Sequence, residues 1–152
     1  MRRIAFAFPM LLVLAACRAS AGGGGGSGND STLPGASAAR GAVEKFLAAV
    51  RAEDLQAMST VWGSERGPAR DIIPDRAELE KREIVMQCYL SHDRYRILGD
   101  LAGDDKRRVF RVELTKRDLT RVTTFTAVPG PSQRWYVLEA DLEPVKDLCK
   151  SK

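Results

Sequence analysis

Arg108-Val109-Phe110-Arg111-Val112-Glu113-Leu114-Thr115 is the stretch whose reading decides the fold. Phe110, Val112 and Leu114 alternate with Arg111 and Glu113, so one set of side chains faces a core and the other faces water. The same period of two surrounds it. Tyr95 to Leu101 puts Tyr95, Ile97 and Leu101 inward. Arg121 to Val128 is a further β-rich run, and Arg134 to Leu142 places Tyr136, Leu138, Ala140 and Leu142 on one face. Gly103-Asp104-Asp105 and Pro129-Gly130-Pro131-Ser132 separate these runs. Four strands with short connections predict an antiparallel meander, followed by a last helical turn from Pro144 to Cys149.

Upstream of this region the period is 3.6. Val43, Phe46, Leu47 and Val50 recur at i, i+3, i+4 and i+7 and form one stripe of a helix from about Ala38 to Ala52, with Ser37 as its expected cap. Arg51-Ala52-Glu53-Asp54 breaks the stripe. Leu55, Met58 and Trp62 resume it as a second short helix with Asp54 as N-cap. Gly63-Ser64-Glu65-Arg66-Gly67-Pro68 reads as a turn-rich loop, after which Ile72 and Ile73 are expected to be buried. Asp75 and Glu78 have the spacing of a capping box for a third helix reaching about residue 90. Its inner face carries Leu79, Met86 and Tyr89 or Leu90; its outer face carries Glu80, Lys81 and Glu83.

The chain starts Met1-Arg2-Arg3 and continues with an apolar run from Ile4 to Ala16, shorter than the roughly 20 residues of a membrane-spanning helix. That pattern is a signal peptide. Leu14-Ala15-Ala16-Cys17 resembles the lipobox of bacterial lipoproteins, and the resemblance implies a diacylglyceryl group on Cys17 and cleavage just before it. Arg18, rather than Asp, follows the lipid site; by similarity to the sorting rule of diderm lipoproteins this points to the outer membrane, facing the periplasm. The expected organisation is residues 1–16 as signal peptide, 17–39 as lipidated cysteine and Gly-rich linker, and 40–150 as one domain. The linker contains Gly22 to Gly26, and as a coil it spans about 25 Å. Asn29-Asp30-Ser31 fits a glycosylation acceptor only as a chance match.

The 152 residues carry a net charge of +4, and loss of Arg2 and Arg3 with the signal peptide lowers the excess to +2. So balanced a domain gives no case for nucleic acid. Cys17 is assigned to the lipid. Cys88 and Cys149, exported to an oxidising compartment, read as a disulfide closing a loop of about sixty residues, worth roughly 4 kcal/mol in chain entropy; the alternative is two separately buried thiols.

Helices first and antiparallel strands after is an α+β order. The opening stripe of Val43, Phe46, Leu47 and Val50, the Ala52-Glu53-Asp54-Leu55 break and the closing strand Arg134-Trp135-Tyr136-Val137-Leu138 resemble the NTF2-like superfamily over about residues 38 to 145. The resemblance implies N-terminal helices packed on a curved antiparallel sheet, a cone with a pocket at its open end. It admits two kinds of protein: a non-catalytic domain binding a small apolar ligand or an envelope protein, and an isomerase- or cyclase-like enzyme acting on a small apolar substrate. A fold does not choose between them.

The residues favour the first. An enzyme of this type needs an acid or base inside the cone, and the candidates are His92, Asp93 and Tyr95. In extended chain Asp93 and Tyr95 point to one side and His92 to the other, so Ser91-His92-Asp93 reads as a polar connection. Ser59, Ser64 and Ser91 have no nucleophile motif around them, and a single histidine leaves little room for a triad. No catalytic residue is assigned, and no metal or cofactor is expected: Asp100, Asp104 and Asp105 lack the pattern of a calcium loop, and Gly22 to Gly26 lack the lysine of a phosphate loop. Lys106-Arg107-Arg108, Arg111, Lys116-Arg117 and Arg121 make the sheet region basic. They read mainly as solvated strand edges, and secondarily as a surface for an anionic partner. Trp62, Trp135 and Tyr136 read as core or pocket lining.

Overall fold

A computed structural model describes residues 33–150. The expected signal peptide, the expected lipid site Cys17 and the expected linker up to residue 32 lie outside the described residues. Four helices come first: α1 (Ala39–Arg51), α2 (Leu55–Val61), and, after a tight hairpin of β1 (Gly63–Ser64) and β2 (Gly67–Pro68), the single turn α3 (Ala69–Ile72) and α4 (Arg76–Tyr89). Four strands follow, β3 (Arg94–Ala102), β4 (Arg108–Lys116), β5 (Leu119–Pro129) and β6 (Trp135–Ala140). They pair antiparallel in the order β3-β4-β5-β6, and the sheet stays open. The architecture is α+β, and a 3-10 segment, Glu143–Cys149, ends it.

α1 forms where its apolar stripe predicts. Val43, Phe46, Leu47 and Val50 are all buried, and the Phe46 ring meets Phe125 of β5 edge-on at 6.2 Å. The sheet answers with Phe110, Val112 and Leu114 from β4, Phe125 and Ala127 from β5, and Val137 from β6. Ser37 does not cap α1: Ala38 holds the N-cap position and offers no side-chain acceptor. At α2 the Asp54 carboxylate accepts from the Ala57 amide at 2.9 Å, as its position before Leu55 predicts. At α4 Asp75 accepts from Ala77 and Glu78 amides, but Glu78 turns away to Arg82 at 2.7 Å, so the capping box is only half closed. Ile72 and Ile73 are half-buried rather than buried, since α3 ends after one turn.

Two β-bulges change which residues face the helices. In β3 the register slips between Ile97 and Gly99, so Leu98 is an extra residue and the alternation reverses beyond it. Tyr95 and Ile97 pack on the core as expected, whereas Leu101 turns to the outer face and is 66% exposed. Asp100 and Ala102, paired with Phe110 and Arg108, take its place on the helix side. A second slip, between Thr126 and Ala127 on the β5 side, leaves Leu138 of β6 as the extra residue. The expected face of Tyr136, Leu138, Ala140 and Leu142 is therefore corrected: Val137, opposite Ala127, and Ala140, opposite Phe125, face the core. Tyr136 is buried on the other side of the strand.

The domain begins earlier than the composition predicts. Ala36, expected in the linker that runs to residue 39, is buried and exchanges both backbone hydrogen bonds with Trp135, covering part of the β6 edge. Gly35 makes this possible. Its φ is +69°, and a Cβ there would meet the Trp135 carbonyl at 2.8 Å and the Tyr136 ring at 2.9 Å.

At the opposite end of the core the 3-10 segment buries Val145 and Leu148, and Cys149 is joined to Cys88 of α4 by a disulfide with a Cα separation of 4.8 Å. Lys116 adds a second tie, donating to Ser91 Oγ and to the Leu148 carbonyl, each at 2.7 Å; Arg121 pairs with Asp147. These two cations of the sheet therefore also tie down the C-terminal segment, Lys116 from a part-buried position and Arg121 from a partly exposed one.

Two stability outcomes follow from this packing. Phe46→Ala empties the centre of the core and is expected to lower unfolding free energy by about 3 to 5 kcal/mol in denaturant titration; a loss under about 1 kcal/mol would mean that α1 is not seated on β5. Replacing Cys88 and Cys149 together by alanine is expected to cost about 4 kcal/mol, the chain-entropy value for a 61-residue separation. The unreduced, unfolded chain carrying Cys17→Ser is expected to show no reactive thiol, and two would remove the bridge.

Candidate functional site

The β3 bulge and the place where α1 starts together open a cleft. α1 begins at Ala39, and its first turn does not cover Asp100 and Ala102 at the end of β3 or Arg108 at the start of β4. The space left has a volume of about 520 Å³. Ala39, Ala102, Phe110 and Trp135 form its apolar part, and Arg40, Lys106, Arg107 and Arg108 surround it with positive charge; Asp100 is the one carboxylate in the lining.

Each of these groups is held by its local structure. Arg108 pairs with Asp100 across the strands, an arrangement that exists only because the bulge at Leu98 brings Asp100 to this face. Arg107 reaches the Glu65 carboxylate of the β1–β2 turn at 3.2 Å, and its Nε is buried with no acceptor. Arg40 pairs with Glu44 one turn along α1 at 2.9 Å. Lys106 makes no hydrogen bond or ion pair among the described residues. It sits at the tip of the β3–β4 hairpin, where Asp105 and Lys106 both have positive φ, 52° and 64°, and the Arg107 amide donates to the Asp104 carbonyl. Two left-handed residues in succession give the turn the twist that a tight hairpin needs, although Asn-Gly is the sequence that adopts it most cheaply.

Two titratable side chains are buried elsewhere, each in its own crevice. Glu83, expected on the outer face of α4, is only 2% exposed and lies at the α2–α4 contact with Leu55, Gln56, Arg76, Leu79 and Glu80. Its Oε1 has no hydrogen-bond partner. Burial, reinforced by the Glu80 charge and opposed by Arg76, pushes its carboxyl up to about 7. The expectation failed because a charge in a weakly patterned helix was assigned to water, whereas α2 crosses α4 at that point.

His92 is 5% exposed, at the end of α4. Its Nδ1 lies 2.8 Å from the Leu90 carbonyl, which can only accept, so the ring donates there and Nε2 keeps its lone pair. Burial pushes its pKa down, partly offset by the Leu90 hydrogen bond. The ring packs edge-on to Tyr95 at 5.7 Å, while Asp93 turns away and accepts from the Arg117 amide at 2.7 Å. His92 and Tyr95 thus meet, contrary to the extended-chain expectation, because the strand starts only at Arg94; Asp93 remains apart. None of the three lines the cleft.

The remaining sequence candidates are placed as follows. Ser59 is buried and donates to the Gln56 carbonyl, Ser64 accepts from the Arg66 amide, and Ser91 accepts from Lys116, so none is paired with a base. Among the described residues no group of three or more His, Cys, Asp or Glu could hold a metal ion, and no helix is long and apolar enough to cross a membrane. Trp135 lines the cleft and Trp62 donates from its indole to the Leu138 carbonyl. No protein-family model matches the chain, and no curated protein or solved structure is detectably similar to it.

The two buried titratable groups act on stability in opposite directions. Glu83 has a folded pKa above its unfolded value, so it favours the folded state below about pH 4.5, and that contribution is lost as pH rises through about 7. His92 has a folded pKa below 6.5, so stability falls as pH drops beneath that value. Glu83→Gln is expected to raise unfolding free energy at pH 8 by an amount on the order of 2 to 3 kcal/mol relative to its effect at pH 5. Urea midpoints of both proteins at the two pH values measure this; an equal effect at pH 5 and 8 would show that Glu83 is not ionised in a buried site.

Proposed function

We propose that this chain is a lipid-anchored lipoprotein of the cell envelope whose single domain is an NTF2-like cone that binds a ligand without transforming it. The lipobox resemblance of Leu14-Ala15-Ala16-Cys17 supports the anchor, and Arg18 after it supports the outer membrane facing the periplasm. With Cys17 carrying more than one acyl chain, anchoring is stable. Helices on one face of an open four-stranded antiparallel sheet support the NTF2-like assignment.

One observation carries the choice of binding over catalysis. The cleft has the volume and apolar floor of a small-molecule site, yet the buried acid Glu83 and the buried base His92 both lie outside it. Its own carboxylate, Asp100, is tied to Arg108. Proton transfer needs a group held in place near the substrate, whereas the cleft's unpaired ionisable side chain, Lys106, stands exposed at the tip of a hairpin.

Cys17→Ser in the full chain is expected to release the protein from the envelope membrane fraction into the soluble fraction. Membrane association equal to that of the unaltered protein would contradict the anchor.

A further inference from the structure

We infer that the cleft between the start of α1 and the β3–β4 hairpin binds an amphipathic anion, a small molecule with one ionised carboxylate, phosphate or sulfonate on an apolar body. This deepens the reading of the cleft as the ligand site and rests on it. Around this one cavity, unpaired donors outnumber unpaired acceptors. Lys106 has three ammonium protons and no partner among the described residues. The first turn of α1, Ser37 to Arg40 in the lining, has an alanine at its N-cap and so no side-chain acceptor for its amides. The acceptors nearby are committed: Asp100 to Arg108, Glu65 to Arg107 and Glu44 to Arg40.

That imbalance discriminates between ligand classes. A neutral apolar molecule seated on Ala39, Ala102, Phe110 and Trp135 would strip water from Lys106 and from the α1 amides and return no acceptor, which is costly for each group covered. An anion on the same apolar body supplies oxygens to these donors in charge-assisted hydrogen bonds, while its body takes up the apolar wall. A cation is disfavoured because Arg40, Arg107 and Arg108 already hold the nearby carboxylates and Lys106 leaves the lining with an excess of positive charge. The ligand is therefore amphipathic and anionic rather than the small apolar molecule that fold resemblance alone implies.

The β3 bulge is the device that makes this site. Without the extra residue Leu98, Leu101 would face the cleft and fill it with an aliphatic side chain; with it, Ala102 leaves room and Asp100 anchors Arg108 at the rim.

The test uses 2-naphthoate and 2-naphthamide, which share an aromatic body and differ in the ionised group. They are titrated into the full chain carrying Cys17→Ser and followed by amide chemical shifts. Naphthoate is expected to bind at least tenfold more tightly than naphthamide, to shift residues 39–41 and 102–108, and to weaken as salt rises. Lys106→Glu is expected to weaken naphthoate about tenfold or more and to leave naphthamide unchanged. Ala102→Trp, which fills the cleft from an exposed strand position, is expected to abolish both. Equal binding of the two probes in the cleft, unaffected by Lys106→Glu, would overturn the anion inference and leave the cleft as a ligand site. Binding of neither, or shifts confined to other residues with both variants folded, would overturn both.

Discussion

The edge-on contact between Phe46 of α1 and Phe125 of β5 lies at the centre of the one core on which the other features rest. A sheet of four strands with one face in water is not stable alone, and α1 supplies the apolar stripe that covers its other face. The line along which α1 lies also sets what stays uncovered. Because the helix starts at Ala39, the last core-side positions of β3 and the first of β4 have no helix over them, and the cleft is that remainder. At the far end the same core is closed by Val145 and Leu148, held down by the Cys88–Cys149 bridge and by Lys116.

Most of the element order was legible in the sequence because periods of 3.6 and 2 are long here and separated by turn residues. The stripe Val43, Phe46, Leu47, Val50 and the alternation Phe110, Val112, Leu114 each point one way. What period alone does not contain is an inserted residue. Leu98 and Leu138 look like any other strand positions, yet each reverses the faces beyond it, which is why Leu101 lies outside and Val137 lies inside. The candidate site depended on one of these reversals and so was not legible. Its charged part was half visible, since Lys106-Arg107-Arg108 stand out between two strands, but Asp100, Ala102 and the uncapped start of α1 join them only in three dimensions.

Charges were the other source of surprise, for a related reason. Glu83 lies in a helix without a strong stripe, and Lys116 and Arg121 flank a hairpin, so sequence pattern alone places all three in water. Each is instead fixed by a crossing element, α2 for Glu83 and the C-terminal 3-10 segment for the two cations. Crossings between distant segments carry no local signature. Their effect on the functional reading is direct: the ionisable groups most perturbed by burial lie away from the cleft, while Lys106 at its rim has no partner among the described residues.

The central claim is that α1 and the sheet form one cooperative core whose uncovered end is the site. Amide hydrogen exchange measured residue by residue tests it most directly. The account predicts that Phe46, Leu47 and Val50 in α1 and Phe110, Val112 and Phe125 in the sheet open with one common free energy, equal to that of global unfolding, while residues 102–108 exchange more readily. Exchange of the α1 amides at a free energy well below that of the sheet would contradict it, since the helix would then be an accessory to the core and not its foundation.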